Sequence, residues 1–176
     1  MLLSTLIRWG GLVAVAAAAL FIVADLVALF FVLAEGSNTG LFLRDMVAIG
    51  ARALLMVGLL ALYAHQYEAV GIAGLVGFLE ASVGMALAPL HLVWPAVLAS
   101  LGWVLFGAVS LYAEVYSVTA TIVLIIGAGL SGVANALIES GLFTGNLVFG
   151  GSAMIVDIIF NTAVAWLGFG LFTTRN

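Results

Sequence analysis

The stretch LIRWGGLVAVAAAALFIVADLVALFFVL, residues 6–33, holds one Arg and one Asp in a run that is otherwise apolar or small. A helix needs ~20 mostly apolar residues to cross a hydrocarbon core of ~30 Å. This run exceeds that length, and it exceeds the ~7–15 residues of a signal-peptide core. Working outward from it, five further segments of similar character follow at 41–64, 69–90, 94–114, 118–138 and 147–172. Clusters such as Glu35-Gly-Ser-Asn38, His65-Gln-Tyr-Glu68 and Glu139-Ser-Gly141 separate them, and the last segment runs out at Thr173-Thr-Arg-Asn176. Connections this short place consecutive helices side by side and antiparallel. Barrel strands would alternate apolar and polar residues; Val13–Leu20 and Ile122–Ile126 do not. The expected fold is therefore all-α: one polytopic membrane bundle of six transmembrane helices with short loops, spanning residues 1–176.

Composition agrees. Of 176 residues, 66% are hydrophobic and 7% charged. A water-facing surface needs roughly 25–35% charged residues, so a soluble enzyme or secreted scaffold is excluded. The net charge of −4 offers no basic surface, which excludes nucleic acid as a partner. Cysteine is absent, so there is no disulfide, thiolate metal site or iron–sulfur cluster. Arg8 and Arg175 flank the termini, whereas Arg44 opens the second segment on the other side. The excess of basic residues near the termini favours cytoplasmic termini in a bacterial inner membrane.

Four ionisable residues sit deep inside these segments. Counted from the segment ends away from the termini, Asp25, Arg52, Glu80 and Asp157 each lie 10 or 11 residues in. That is about 15–17 Å at 1.5 Å per residue, near the membrane midplane. A charge there is costly and marks a functional site by default. Small and polar residues share helical faces with these charges. Ala73, Gly77, Glu80 and Gly84 make one such face, and Met154, Asp157 and Asn161 another. Gly127, Ser131, Asn135 and Glu139 recur at four-residue spacing. Such faces let helices approach closely and bond across the contact. Arg52 must find an anion, because a guanidinium keeps its proton. The expected ligand- or proton-binding set is Asp25, Arg52, Glu80, Asp157, Asn161, Asn135 and Ser131. Arg44 and Asp45 read as an interfacial pair at a helix start.

Other motifs carry less. Gly127-Ala-Gly-Leu-Ser-Gly132 matches G-x-G-x-x-G without the strand–turn–helix context that gives it meaning. Gly129-Leu-Ser-Gly132 matches the G-x-S-G of rhomboid proteases, but both histidines, His65 and His91, precede Ser131, so no later base activates it. Those histidines fall near opposite membrane faces, which excludes a haem pair. Without Lys there is no retinal Schiff base. A metal among the carboxylates is opposed by Arg52 at the same level. No cofactor or metal is expected, and no catalytic residue: no nucleophile–base pair survives the spacing test. Phe21-Ile-Val-Ala-Asp25 and Met154-Ile-Val-Asp157 are faintly alike, the pattern of an inverted repeat.

Several pieces are similar to a known group. They are Phe21-Ile-Val-Ala-Asp-Leu26, Gly50-Ala-Arg-Ala-Leu-Leu55 with Ala61-Leu-Tyr63, Gly77-Phe-Leu-Glu-Ala81, Leu101-Gly-Trp-Val-Leu-Phe-Gly107 and Ala165-Trp-Leu-Gly-Phe-Gly170. In these the chain resembles uncharacterised bacterial six-helix membrane proteins of the domain-of-unknown-function type. Tyr116-Ser-Val-Thr119 stands where such proteins often carry Pro-Arg-Trp. The resemblance implies a similar bundle and no activity. Two functions are expected. One is proton-linked transport or binding of a small solute at the midplane cluster. The other is an accessory subunit of a larger membrane complex, with the charges structural. The expected partners are membrane lipids and a small solute or proton, then a second copy or other membrane subunits.

Overall fold

A computed structural model describes residues 2–35, 39–142 and 147–173. Five long helices make up the chain: α1 (Leu2–Glu35), α2 (Thr39–Leu87), α3 (Val93–Tyr112), α4 (Val118–Glu139) and α5 (Leu147–Thr173). A short 3-10 turn, Ala88–Leu90, joins α2 to α3. All five are long and apolar enough to cross a membrane. Large apolar side chains such as Phe30, Ile72, Val133 and Phe169 face outward. In water they would form an aggregating surface; in lipid they are solvated. The fold is thus all-helical, as expected, and the chain is membrane-embedded.

The largest difference from the sequence reading lies within α2, other helix ends shifting by a few residues. His65-Gln-Tyr-Glu68, expected as a loop, is helical, and α2 runs on through it. The interruption comes at Gly71, whose φ of 54° and ψ of −145° are not helical. Glycine has no Cβ to clash in that conformation. The break reverses the chain: the rings of Tyr63 and Phe78 stack with centroids 5.0 Å apart. On a straight helix, fifteen residues would separate them by about 22 Å. Charged and polar residues suggested a loop there, yet helix hydrogen bonding tolerates them wherever the side chains reach the surface, as Tyr67 does. The segment ends expected at 36–38 and 174–176 lie outside the described residues.

The two arms of α2, residues 39–70 and 72–87, serve different neighbours. The first packs on α1, where a Cβ added at Gly58 would meet the Ala14 Cβ at 2.6 Å. The second packs on α3, where a Cβ at Gly77 would meet the Phe106 N at 2.7 Å. Next, Ser100 on α3 donates to the Ala128 carbonyl of α4 at 2.7 Å. A Cβ at Gly127 of α4 would meet the Phe160 Cα of α5 at 2.9 Å. Finally, one at Gly168 of α5 would meet the Gly11 carbonyl of α1 at 2.6 Å. Each seam is thus closed by a small residue, and the helices form a ring. Without a hydrophobic drive between helices in lipid, such close van der Waals packing holds them together.

Inside the ring, Leu55, Leu59, Phe106, Leu124 and Val164 form a dry core with Ala14, Ala17 and Ala18. That core fills the end of the bundle nearer the termini. The far end, around the α1–α2, α2–α3 and α4–α5 connections, is left for polar groups.

The seams predict a graded response to added volume. Gly77→Leu should lose about 1–3 kcal/mol, the usual cost of overpacking. Gly50→Leu should be neutral, because nothing lies within 4 Å of a Cβ there. Denaturant melts in one mild detergent would check the pair.

Candidate functional site

Antiparallel packing of α1 on the first arm of α2 sets the register of the site. With Gly58 against Ala14, Asp25 faces the first turns of α2, where Arg44 stands. Arg44 Nε donates to Asp25 Oδ1 at 2.5 Å, and its Nη2 donates to Asp157 Oδ2 at 2.7 Å. One planar guanidinium therefore bridges carboxylates from α1 and α5. Its fixed fork of donors suits that task, which the point charge of a lysine would not.

Asp157 is held from the other side by α4. Ser131 Oγ donates to Asp157 Oδ1, and Asn135 Nδ2 donates to the same oxygen at 3.3 Å. Ser131 and Asn135 stand one helical turn apart, and Asn135 Nδ2 also reaches the Ser131 carbonyl at 2.9 Å. One turn along α5, Asn161 Nδ2 donates to the Asp157 backbone carbonyl at 2.8 Å. Both Asp157 oxygens thus have partners. Asp25 is less well served: its Oδ2 is buried and has no hydrogen-bond partner among the described residues, and the same holds for Asn161 Oδ1.

These groups border a cavity of about 170 Å³. Its walls carry Asp25, Arg44, Arg52, Ser131, Asn135, Asp157 and Asn161. Its floor is aromatic: Trp103 and Phe160 meet edge to face with centroids 5.3 Å apart, beside Phe21 and Leu55. At the mouth, Asp45, His91 and Glu139 reach it, with His91 Nδ1 and Glu139 Oε1 3.2 Å apart. His91 occupies a left-handed conformation (φ 52°) just after the 3-10 turn, which turns the chain into α3. No three His, Asp or Glu side chains are placed to hold a metal among the described residues.

The structure redistributes the expected roles. Six of the seven expected residues, Asp25, Arg52, Asp157, Asn161, Asn135 and Ser131, border this one cavity. Glu80 does not. Its neighbours Gly77 and Ala81 turn to α3, and the second arm of α2 presents Met85 and Ala88 to the cavity instead. Arg44, expected at the interface, is the residue that joins the carboxylates. Arg52, expected to be neutralised by one of them, has no ion-pair or hydrogen-bond partner among the described residues. It stands two turns deeper than Arg44, beyond the level of Asp25. The signal that was available was the eight-residue spacing of Arg44 and Arg52, which puts both on one helix face.

No protein-family model matches the chain, and neither does any curated protein or solved structure.

Breaking a buried charge pair by removing one partner costs about 3–5 kcal/mol. Arg44→Leu should show a loss of that order, because two buried carboxylates would be stranded. Arg52→Leu should change stability by less than about 1 kcal/mol, since no pair is broken. The triple change Arg44→Leu, Asp25→Leu, Asp157→Leu should recover much of the Arg44→Leu loss. Equilibrium unfolding of the three variants would distinguish this order from one in which Arg52 is the structural cation.

Proposed function

We propose that this chain is a six-crossing integral membrane protein that binds a small solute at the central cavity and transports it in a proton-linked way. The observation that carries the reading is the cavity itself: a chamber of about 170 Å³ with charged groups on its walls and an apolar floor, inside the ring of helices. In it, two carboxylates share one guanidinium. A structural charge network has no need of empty space beside it. A binding site does.

The six crossings rest on the length and folding-back of α2. Its 49 residues would extend about 73 Å as a straight rod, more than twice a ~30 Å hydrocarbon core. With the reversal at Gly71, the first arm (39–70) is long enough for one crossing, and the second (72–87, about 24 Å) makes another together with the 3-10 turn that follows it. The proposed orientation puts the termini in the cytoplasm of a bacterial cell. Arg44, the one basic residue that argued for the opposite side, is drawn into the bundle by Asp25 and Asp157. It is therefore not a loop charge of the kind that sets orientation. Arg8 remains at the terminal end, its Nε donating to the Phe172 carbonyl at 3.2 Å.

In this mechanism a proton delivered through the mouth to Asp25 or Asp157 weakens that carboxylate's hold on Arg44. The first arm of α2 is then less tightly tied to α1 and α5. Solute and proton bias the same bridge, which is what couples their binding.

Two measurements test the reading. The chain has no cysteine, so single cysteines placed at Tyr67 and Leu92 can be labelled with a membrane-impermeant maleimide. Labelling from opposite sides of the membrane is expected, and labelling from one side removes the six-crossing arrangement. Native mass spectrometry of protein drawn gently from its own membrane should show a small bound mass. Its retention should depend on pH, and the double change Asp25→Asn, Asp157→Asn should abolish that dependence. Arrival as one subunit of a larger assembly, with no small mass in any preparation, would replace this reading with the accessory one.

A further inference from the structure

The solute-binding reading leaves the class of solute open, and the unused groups of the cavity narrow it. Arg44 is occupied by Asp25 and Asp157. Arg52 borders the same cavity without a hydrogen-bond or ion-pair partner among the described residues. It is a cation in a largely apolar bundle, and a guanidinium there requires an anion. Helix side chains tilt toward the N-terminus of their helix, so Arg52 leans along α2 toward the mouth and the level of the carboxylates.

Two enclosed acceptors on residues that border that cavity are also unsatisfied. Asp25 is 0% exposed and Asn161 4% exposed, and Asp25 Oδ2 and Asn161 Oδ1 have no partner among the described residues. A buried acceptor left unpaired costs about 1–3 kcal/mol. The other buried groups in this condition, on Gln66 and Ser82, do not border the cavity. Nearer the mouth, Asp45 and Glu139 add negative charge. A plain anion would answer Arg52 and leave the acceptors empty. A plain cation would do the reverse, leaving Arg52 with the carboxylates of Asp45, Asp157 and Glu139 near it and none bonded to it. The remaining wall is apolar, with Trp103, Phe160 and Leu55 at the floor.

Resting on the solute-binding reading, we infer that the cavity takes a small zwitterion with an apolar tail, of the amino-acid kind. Its carboxylate pairs with Arg52, its ammonium donates to the free acceptors on Asp25 and Asn161, and its tail lies against Trp103 and Phe160. The size fits. A dry cavity of about 150 Å³ admits benzene, and this one is about 170 Å³, room for a side chain of leucine's size.

The test uses the full chain in lipid nanodiscs and three probes of one shape: L-leucine, 4-methylpentanoate and 3-methylbutylamine. They present a zwitterion, an anion and a cation on the same branched tail. Calorimetric titration should show leucine binding at least about tenfold tighter than either single-charge analogue. Arg52→Leu should weaken leucine roughly ten- to hundredfold, as expected for one charged hydrogen-bonded contact. It should not weaken 3-methylbutylamine, which loses a like charge from its surroundings. Arg52→Lys should restore part of the leucine affinity. Because Arg52 breaks no internal bond when replaced, an unchanged melting point would show that the variant is folded. Amine binding as tight as leucine, with Arg52→Leu silent, overturns the zwitterion while the solute-binding reading stands. The same holds if none of the three binds but a different small mass travels with the protein. No binding by any probe, together with no co-purifying mass, overturns both.

Discussion

The bridge from Arg44 to Asp25 and Asp157 constrains the polar end of this protein more than any other contact. It ties α1, the first arm of α2 and α5 at one point. Pairing matters at that depth because lipid supplies no partner and the desolvation cost of an isolated ion is several kcal/mol. The pairing therefore dictates rotation as well as proximity. α5 must turn Asp157 inward, and that same rotation brings Asn161 and Phe160 to the cavity wall. α4 must then present Ser131 and Asn135 to Asp157.

The apolar end is governed by a different constraint. Helix pairs in lipid gain from close fit, and close fit needs small residues at the crossing points. Gly58 on Ala14, Gly77 on Phe106, Gly127 on Phe160 and Gly168 on Gly11 give the ring its radius. With the helices drawn together there, Leu55, Leu59 and Phe106 fill the interior. Toward the connections the small residues give way to charged and polar ones, and the interior opens into the cavity. The two constraints meet at Trp103 and Phe160, whose rings belong to the core on one side and to the cavity floor on the other.

Much of the site was legible because polar residues stand out against an apolar background. Asp25, Asp157, Ser131, Asn135 and Asn161 could be picked out by type and by four-residue spacing. Which Arg meets which carboxylate was not legible. Depth counted along each helix separately placed Arg52 at the level of Asp25, yet the close approach of Gly58 to Ala14 shifts the register so that Arg44 is opposite it. The length of an Arg side chain adds to the ambiguity, since its charge can lie a full turn from its Cα. Glu80 stands apart from the cavity for a related reason. It shares a helix face with Gly77 and Gly84, and that face proved to be the one packed on α3 rather than the one bordering the cavity.

Read segment by segment, the sequence establishes the class of the molecule: long apolar helices, short connections and a handful of polar residues set deep within them. These follow from hydrophobicity and residue type, which are properties of each stretch of chain alone. It also placed a helix over almost every expected segment, since in hydrocarbon the backbone has no other way to satisfy its own hydrogen bonds. Packing added three things: the chain reverses at Gly71 rather than at His65-Gln-Tyr-Glu68, Arg44 is the bridging cation, and a cavity survives between the helices. Each of these depends on the register and rotation of one helix against another. Those are set by contacts between residues far apart in sequence, and no single segment carries them.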